Sequence, residues 1–299
     1  MSEKHKNPVE WPTLLLVFAC YVTWAVATTW LAALWLPAAM LVATLAMVMH
    51  SSLQHEVLHG HPFANRMMNE ILVFLPIGLF YPYGRFRDLH LAHHRDEFLT
   101  DPYDDPETNF LDPAVWAGLS RLHRLILRAN NTLLGRMIIG PARSVLALIR
   151  GDLRLMAAGD RAIWRDWILH GAGLVPVCYW MVHVPMPAWA YILSAYAGLS
   201  ILKIRTFLEH RAHERARGRS VVIEGGTILP FLFLNNNLHC VHHAKPQVAW
   251  YRLPAIYAAQ RDEFLRRNDG YRYASYSEVF RRYLLKTKDP VPHPLWPKS

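Results

Sequence analysis

The sequence predicts an all-α, multi-pass membrane protein with four transmembrane helices in two hairpins and a helical cap rich in histidine. Hydrophobic residues make up 53% of the 299 residues and charged residues only 18%, against about 45 to 50% and about 25% in ordinary soluble domains. The chain contains four long apolar stretches, and its 17 histidines are roughly two to three times the usual content. A mean hydropathy of only +0.08 indicates that much of the chain faces water.

Two pairs of apolar stretches predict the two hairpins. The predicted spans are residues 12–35, 37–57, 167–184 and 187–206. Residues 11–36 carry no charge and exceed the about 20 residues that a helix needs to cross a bilayer. Pro37 begins the second apolar helix, and the short Pro185-Met186 turn joins the last two spans.

The distribution of basic residues predicts the orientation in the membrane. All 32 lie outside the two short turns that join the paired spans. With an even number of spans they can share one side, which the positive-inside tendency makes the cytoplasm. We therefore expect one domain over residues 1–299 in a bacterial inner membrane, with both termini cytoplasmic and a cytosolic cap formed by residues 60–165 and 207–299. This accounts for the net charge of +9 without a nucleic-acid partner, for which no recognition motif is present in the sequence.

Residues 114–150 alternate arginine with leucine and isoleucine at roughly helical spacing. One interpretation is a pair of helices lying on an anionic membrane surface, with membrane lipids as partners. The other is a set of core-facing helices of the cap. Both predict helical structure in this segment.

Three groups of histidines have spacings that place their rings on one face of a helix. His55 and His59 are four residues apart, and the motifs HLAHH and HCVHH each have i, i+3, i+4 spacing. At the rise of an α-helix, His59 lies about 33 Å from Pro37 and His210 about 35 Å from Pro187, and a hydrocarbon core is about 30 Å thick. Two helices from different hairpins thus bring histidines to the same height, and we predict a common site there.

The clustered imidazoles predict a site for two transition metals. Neutral imidazole suits iron, copper and zinc, no cysteine or carboxylate cluster competes, and one ion rarely takes more than about six ligands. A metal transporter or sensor is disfavoured because its ligands would follow a path within the bilayer. HEVLH also matches HExxH, in which Glu56 would be the general base of a membrane zinc protease, but that assignment leaves both HxxHH motifs without a function.

The three motifs resemble the histidine boxes of membrane fatty acid desaturases and related hydroxylases. The resemblance runs from about Pro37 to Pro254 and includes the stretch HHAKPQVAWYRLP after the third motif. It implies a non-haem di-iron centre that uses O2 and two external electrons to attack an unactivated C–H bond. It also implies a further ligand from the span before the third motif, for which His210 is the match and His213 the competing choice.

The resemblance implies nine metal ligands and no other catalytic residue. The implied ligands are His55, His59, His90, His93, His94, His210, His239, His242 and His243. Candidate groups to orient their rings are Glu56, Asp88, Glu97, Glu209, Glu214 and Asn235–Asn237.

The implied reaction is desaturation of the acyl chain of a lipid that enters from the bilayer. Hydroxylation and ketone formation stay open, because HEVLHG and HHRDEFLTDPYDDPE also look similar to bacterial carotenoid ketolases. Thr206 stands where stearoyl-type desaturases carry asparagine. The sequence has no fused electron-carrier motif, so we expect a separate ferredoxin-like protein or b-type cytochrome as the electron donor.

Overall fold

The computed structural model describes residues 9–296, which divide into two compact units. The first unit contains the chain up to Arg87 and Leu148–Leu199, and the second contains Asp88–Ala147 and the chain from Ser200 onwards. The predicted cytoplasmic positions of the two termini fall outside the described residues.

The described residues are mostly helical, as predicted, and include two short strands. The helices are α1 Trp11–Val26, α2 Ala32–Leu34, α3 Leu36–Leu58, α4 Arg66–Leu72, α5 Tyr83–His93, α6 Pro113–Gly118, α7 Arg121–Asn130, α8 Leu133–Ala157, α9 Arg161–His183, α10 Ala188–Thr206, α11 Ile228–Leu232, α12 His239–Ala244, α13 Leu253–Ala259, α14 Arg261–Arg267 and α15 Tyr276–Tyr283. A π-helical turn, Ala27–Leu31, joins α1 to α2, and 3-10 turns occur at Asp96–Phe98, Ala216–Gly218 and Trp250–Arg252. The strands are β1 Val222–Gly225 and β2 Arg272–Ser275.

Helices occur at all four predicted spans. Within the described residues, two helical stretches are long and apolar enough to cross a membrane, Trp11–Leu34 and Leu36–Leu58. The third span lies in α9, which begins at Arg161, before its predicted start, and therefore includes charged residues. The fourth lies in α10, which carries Lys203 and Arg205 in its last turn. The arrangement with four spans stays a prediction.

Small residues of α3 bring the helices of the first unit close together. Ala39, Ala43 and Ala46 are buried in one apolar cluster with Trp24 of α1. Trp24 Nε1 also donates a hydrogen bond to the Tyr191 hydroxyl of α10 (3.0 Å). These contacts fix α3, whose C-terminal end carries the first histidine motif.

A buried ion pair anchors the start of α5. Arg85 donates from Nε and Nη2 to Asp152 Oδ1 (3.0 and 2.8 Å), and Trp167 Nε1 donates to Asp152 Oδ2 (2.8 Å). Both charged side chains are buried, so removal of either partner would leave an uncompensated charge in the interior. The pair thereby fixes the helix whose other end carries the second histidine motif.

The strands of the second unit support the third histidine motif. β1 and β2 pair in parallel, with Val222 opposite Arg272. The β-branched run before Glu224 favours an extended, buried segment, which periodicity alone did not reveal. The amide of Cys240 in α12 donates to Val221 O (2.9 Å), and Val241 is buried with Val222 in one apolar cluster. The sheet therefore holds α12 in place.

Candidate metal centre

Seven of the nine predicted ligands lie together in the second unit. They come from the end of α5 and the residue after it, from the loop after α10, and from α12. These ligands are His90, His93, His94, His210, His239, His242 and His243. The tertiary fold therefore joins three segments that are far apart in sequence.

One set of ligands is centred on His210. The ligand nitrogens of His93, His210, His239 and His243 all lie within 4.8 Å of one another. His210 Nε2 is 2.8 Å from His93 Nε2 and 3.0 Å from His239 Nε2. On their other side, Nδ1–H of His93 donates to Asp105 Oδ1 (2.7 Å) and Nδ1–H of His239 donates to Asn236 Oδ1 (2.9 Å).

The hydrogen bond at Nδ1 of each ring determines whether Nε2 offers a lone pair to its neighbours. In the neutral form that binds a metal, His93 and His239 carry their single proton on Nδ1, so each presents an Nε2 lone pair to His210 Nε2. A single proton on His210 Nε2 would satisfy only one of them. Two nitrogens at 90° around one ion, each about 2.1 Å from it, are about 3.0 Å apart. The observed separations of 2.8 and 3.0 Å therefore fit a shared metal cation.

A second set lies beside the first. His94 Nε2 is 3.0 Å from His90 Nε2 and 3.1 Å from His242 Nε2. Nδ1–H of His90 donates to Glu107 Oε1 (2.9 Å). The His94 ring stacks on His243 of the first set, with ring centroids 4.3 Å apart. The chemistry of this donor set fits two neighbouring metal ions, as predicted.

Charge and burial make the rings suitable ligands. Burial and the nearby imidazoles hold the pKa of His210 and His239 well below the ordinary value, so these rings stay neutral. Burial also lowers the pKa of His93, but Glu107 and Asp105 outweigh it and raise that pKa to about 9. The same carboxylates favour a metal cation in place of the proton.

The groups that orient the rings are only partly those expected from the sequence. Glu209 accepts a hydrogen bond from Asn236 Nδ2 (3.3 Å) and lies 3.8 Å from His239 Nδ1, so it supports His239 through Asn236. Asp105 and Glu107 are missed by the sequence prediction. The sequence feature that could have predicted them is the acidic segment DPYDDPE, which follows the second histidine motif closely. Its carboxylates can accept hydrogen bonds from the Nδ1–H groups of that motif.

The structure favours His210 over His213 as the further ligand. His213 Nε2 lies 3.5 Å from Asp269 Oδ2, and its Nδ1 accepts a hydrogen bond from the Arg215 amide (3.1 Å). Among the described residues His213 belongs to no group of potential metal ligands, whereas His210 lies at the centre of one.

His55 and His59 lie in the first unit, at the C-terminal end of α3. Their ring centroids are 4.9 Å apart, as the spacing of four residues predicts. Glu56 between them lies 3.8 Å from His61 Nε2, and His61 Nδ1 pairs with Glu10 (2.8 Å). The role of His55 and His59 as metal ligands stays a prediction from their motif.

The family model for fatty acid desaturases matches residues 28–275, which include all nine predicted ligands. The chain belongs to the fatty acid desaturase family. It is thus an oxygen-dependent oxidoreductase of the desaturase and oxygenase superfamily, and its two apolar helices agree with a membrane protein.

Two curated relatives of this desaturase-family chain are beta-carotene ketolases. That of Paracoccus sp. (strain N81106 / MBIC 01143) is 27% identical over 216 residues, covering 71% of this chain and 72% of the relative. That of Paracoccus sp. (strain PC1) is 27% identical over 215 residues, covering 70% of this chain and 72% of the relative. Both similarities therefore extend over most of each chain.

Proposed function

We propose that this chain is a membrane-bound, non-haem di-iron oxidoreductase that oxidises a C–H bond in a long hydrocarbon chain. The observation that supports it is the pair of adjacent histidine sets, in which Nδ1 hydrogen bonds direct several Nε2 lone pairs inward. When bound, a pair of irons supplies C–H oxidation with O2 and two external electrons. The proposal includes four spans, a separate electron donor, and His55 and His59 as the remaining ligands.

The protein's own residues hold this centre rigidly. Asp105 and Glu107 fix the tautomers of His93 and His90. Lys288 Nζ donates to the backbone carbonyl of His210 (2.7 Å) and fixes the loop on which that ligand lies. Such supporting hydrogen bonds keep ligating nitrogens in position before a metal arrives.

The leading candidate reaction is ketone formation on a carotenoid. Two relatives that share 27% identity with most of this chain are named beta-carotene ketolases, and HEVLHG with the DPYDDPE loop supports the same choice. The second candidate is desaturation of an acyl chain, the reaction after which the matching family is named. Both substrates are apolar chains that dissolve in a bilayer.

Expression in bacteria that make beta-carotene distinguishes the two reactions. Pigments and fatty acids are profiled for the wild type, His93→Ala and the control His213→Ala. We expect oxygenated carotenoids with the wild type and His213→Ala but not with His93→Ala. New unsaturated fatty acids with unchanged pigments would support the second candidate, and no change in either pool would contradict the proposal.

Metal analysis of the purified protein tests the centre independently of the substrate. We expect about two irons per chain, from the number of ligands. Stoichiometric zinc in place of iron, together with proteolysis that Glu56→Gln abolishes, would instead support the HExxH protease.

A further inference from the structure

The segment between the second histidine motif and Asp105 contains a residue with a strained backbone. Thr100 is buried and has a φ of 71°, in the left-handed region that β-branched residues rarely adopt. Its amide donates to Asp105 Oδ2 (2.8 Å), and Asp105 Oδ1 accepts from His93 Nδ1 (2.7 Å). In this conformation the Thr100 amide thus holds the carboxylate that orients a predicted ligand.

Three contacts hold Thr100 and its neighbour in place. Thr108 Oγ1 donates to Thr100 O (3.1 Å), and Arg219 Nη1 donates to Leu99 O (2.6 Å). The third contact comes from His293, 193 residues further along the chain, whose Nε2 lies 3.2 Å from Thr100 Oγ1. A strained conformation persists only where the surrounding structure over-determines it, so these contacts maintain the position of the Thr100 amide.

The His293 ring is a neutral hydrogen-bond donor to Thr100. Burial and the nearby Arg219 lower the pKa of His293 and outweigh the opposite effect of Asp101, so the ring carries a single proton. Its Nδ1 accepts from the Leu295 amide (3.2 Å), which leaves that proton on Nε2. Nε2–H therefore donates to Thr100 Oγ1.

The backbone around His293 is fixed against the chain that follows the acidic segment. The His293 amide donates to Leu111 O (2.8 Å), and the Leu111 amide donates to Val291 O (2.9 Å). The His293 ring also packs edge-on against Phe110, with ring centroids 4.9 Å apart. The donor is therefore held in position by contacts other than the one that it makes with Thr100.

The same C-terminal stretch also contacts the loop of a second predicted ligand. Lys288 Nζ donates to His210 O (2.7 Å), and the Lys288 amide donates to Asn131 O (3.3 Å). His210 Nε2 lies 2.8 Å from His93 Nε2. Residues 288–293 therefore support two neighbouring ligands by separate contacts, one through Lys288 and one through His293.

We infer that His293 and Thr100 are positioning residues of the candidate metal centre, through which the C-terminal stretch holds His93 towards the metal. His293 holds the Thr100 hydroxyl, the Thr100 amide holds Asp105, and Asp105 holds the His93 tautomer whose Nε2 offers a lone pair. Groups beyond the ligands commonly control metal affinity in this way. The inference rests on the proposed function, because it assigns both residues to a metal centre.

Titration of the metal-free full chain with Co2+ in detergent tests this role, since the visible absorption of Co2+ reports binding and ligand geometry. His293→Phe keeps the ring that packs against Phe110 and removes the donor, whereas His293→Gln keeps a donor and removes the ring. We expect His293→Phe to bind Co2+ about 10-fold more weakly than the wild type, at the low end for groups that orient metal ligands. His293→Gln should bind like the wild type, and a role in packing alone would give the reverse order.

Thr100→Val removes the same hydrogen bond from its other end and keeps the branched shape, so the test stays decisive if His293→Phe does not fold. We expect a loss of Co2+ affinity similar to that of His293→Phe. The double variant Thr100→Val/His293→Phe should bind no more weakly than the weaker single variant, because both changes remove one interaction. His123→Phe, at an exposed position of α7, is the matched control and should bind like the wild type.

Wild-type affinity in His293→Phe and Thr100→Val would overturn the inference and leave the proposed metal centre intact. An equal loss in His293→Gln and His293→Phe, or additive losses in the double variant, would overturn it in the same way. A wild type that binds no Co2+ would instead contradict the proposed metal centre and the inference with it.

Discussion

In the second unit, one hydrogen bond at Nδ1 of a histidine determines which nitrogen of its ring can bind a metal. A histidine ring offers a lone pair on one nitrogen only, and the acceptor at Nδ1 decides which nitrogen that is. Asp105 and Glu107 come from one loop and orient His93 and His90 (2.7 and 2.9 Å). Asp105 also accepts from the Thr100 amide (2.8 Å), so it fixes the loop and the ring together.

The substitution Asp105→Asn should weaken metal binding by about 10- to 100-fold, because a neutral amide holds the His93 tautomer less firmly and removes a negative charge. The measurement is the metal content of the purified protein after dialysis against a graded chelator. The neighbouring exposed Asp104→Asn serves as the control. Equal metal affinity of Asp105→Asn and the wild type would contradict the positioning role.

The substitutions His210→Ala and His213→Ala should differ in their effect on the metal content of the protein. His210 Nε2 contacts two other ligand nitrogens (2.8 and 3.0 Å), so its loss should remove metal from the first set. His213 contacts Asp269 instead, so its loss should leave the metal content unchanged. Elemental analysis of both purified variants decides between them, and metal loss in His213→Ala alone would reverse the assignment.

At the level of elements, the two strands are joined by a charged cluster around Glu224. Tyr257 OH and Arg261 Nε both donate to Glu224 Oε1 (2.6 Å each), and Arg272 donates to Oε2. Burial would raise the pKa of Glu224, but these hydrogen bonds outweigh it and lower that pKa to about 2. The cluster therefore links β1 and β2 to α13 and α14, and β1 and α13 pack against α12, which carries the third histidine motif.

The substitution Glu224→Gln should destabilise the second unit in a pH-dependent way. The pKa of Glu224 falls from an ordinary 4.5 to about 2 on folding, so its carboxylate stabilises the fold above pH 4.5 and that contribution is lost as pH falls towards 2. The melting temperatures of the variant and the wild type should therefore differ more at about pH 6 than at about pH 3. The control is Glu263→Gln, at an exposed position of α14. A difference independent of pH would contradict this role for the carboxylate.

At the level of the whole molecule, the candidate metal centre brings together segments that are remote in the chain. The predicted ligands at residues 90–94, 210 and 239–243 lie close together although no covalent bond joins their side chains. A ligand that binds only the folded chain stabilises it, by about 2.7 kcal/mol when its concentration is about 100 times its dissociation constant. Folding of the second unit should therefore depend on the metal.

Removal of metal with a chelator should lower the melting temperature of the wild type, and added ferrous iron should restore it. His213→Ala should respond in the same way. His93→Ala should show little change on either treatment, because its first set of ligands is incomplete. A wild-type melting temperature that does not respond to chelation, in protein shown to have lost its metal, would contradict the coupling.

The local features of this protein are largely predictable from its sequence. Apolar stretches and prolines indicated the helices at the four predicted spans, although α9 begins earlier than expected, at Arg161, because arginine is as good a helix former as the apolar residues that follow. The spacing of the histidines indicated which rings share a helix face. The sequence does not predict strands β1 and β2, because each four-residue strand depends on a partner fifty residues away.

The sequence by itself determined the long apolar helices, the histidine motifs and, through those motifs, the family. These follow from composition and from helical periodicity, which act between residues a few positions apart. Only the tertiary structure decided that His210 rather than His213 lies among the other histidines, and that Asp105 and Glu107 accept hydrogen bonds from His93 and His90. Each of these depends on which distant segments come into contact, and no local pattern in the chain encodes that contact.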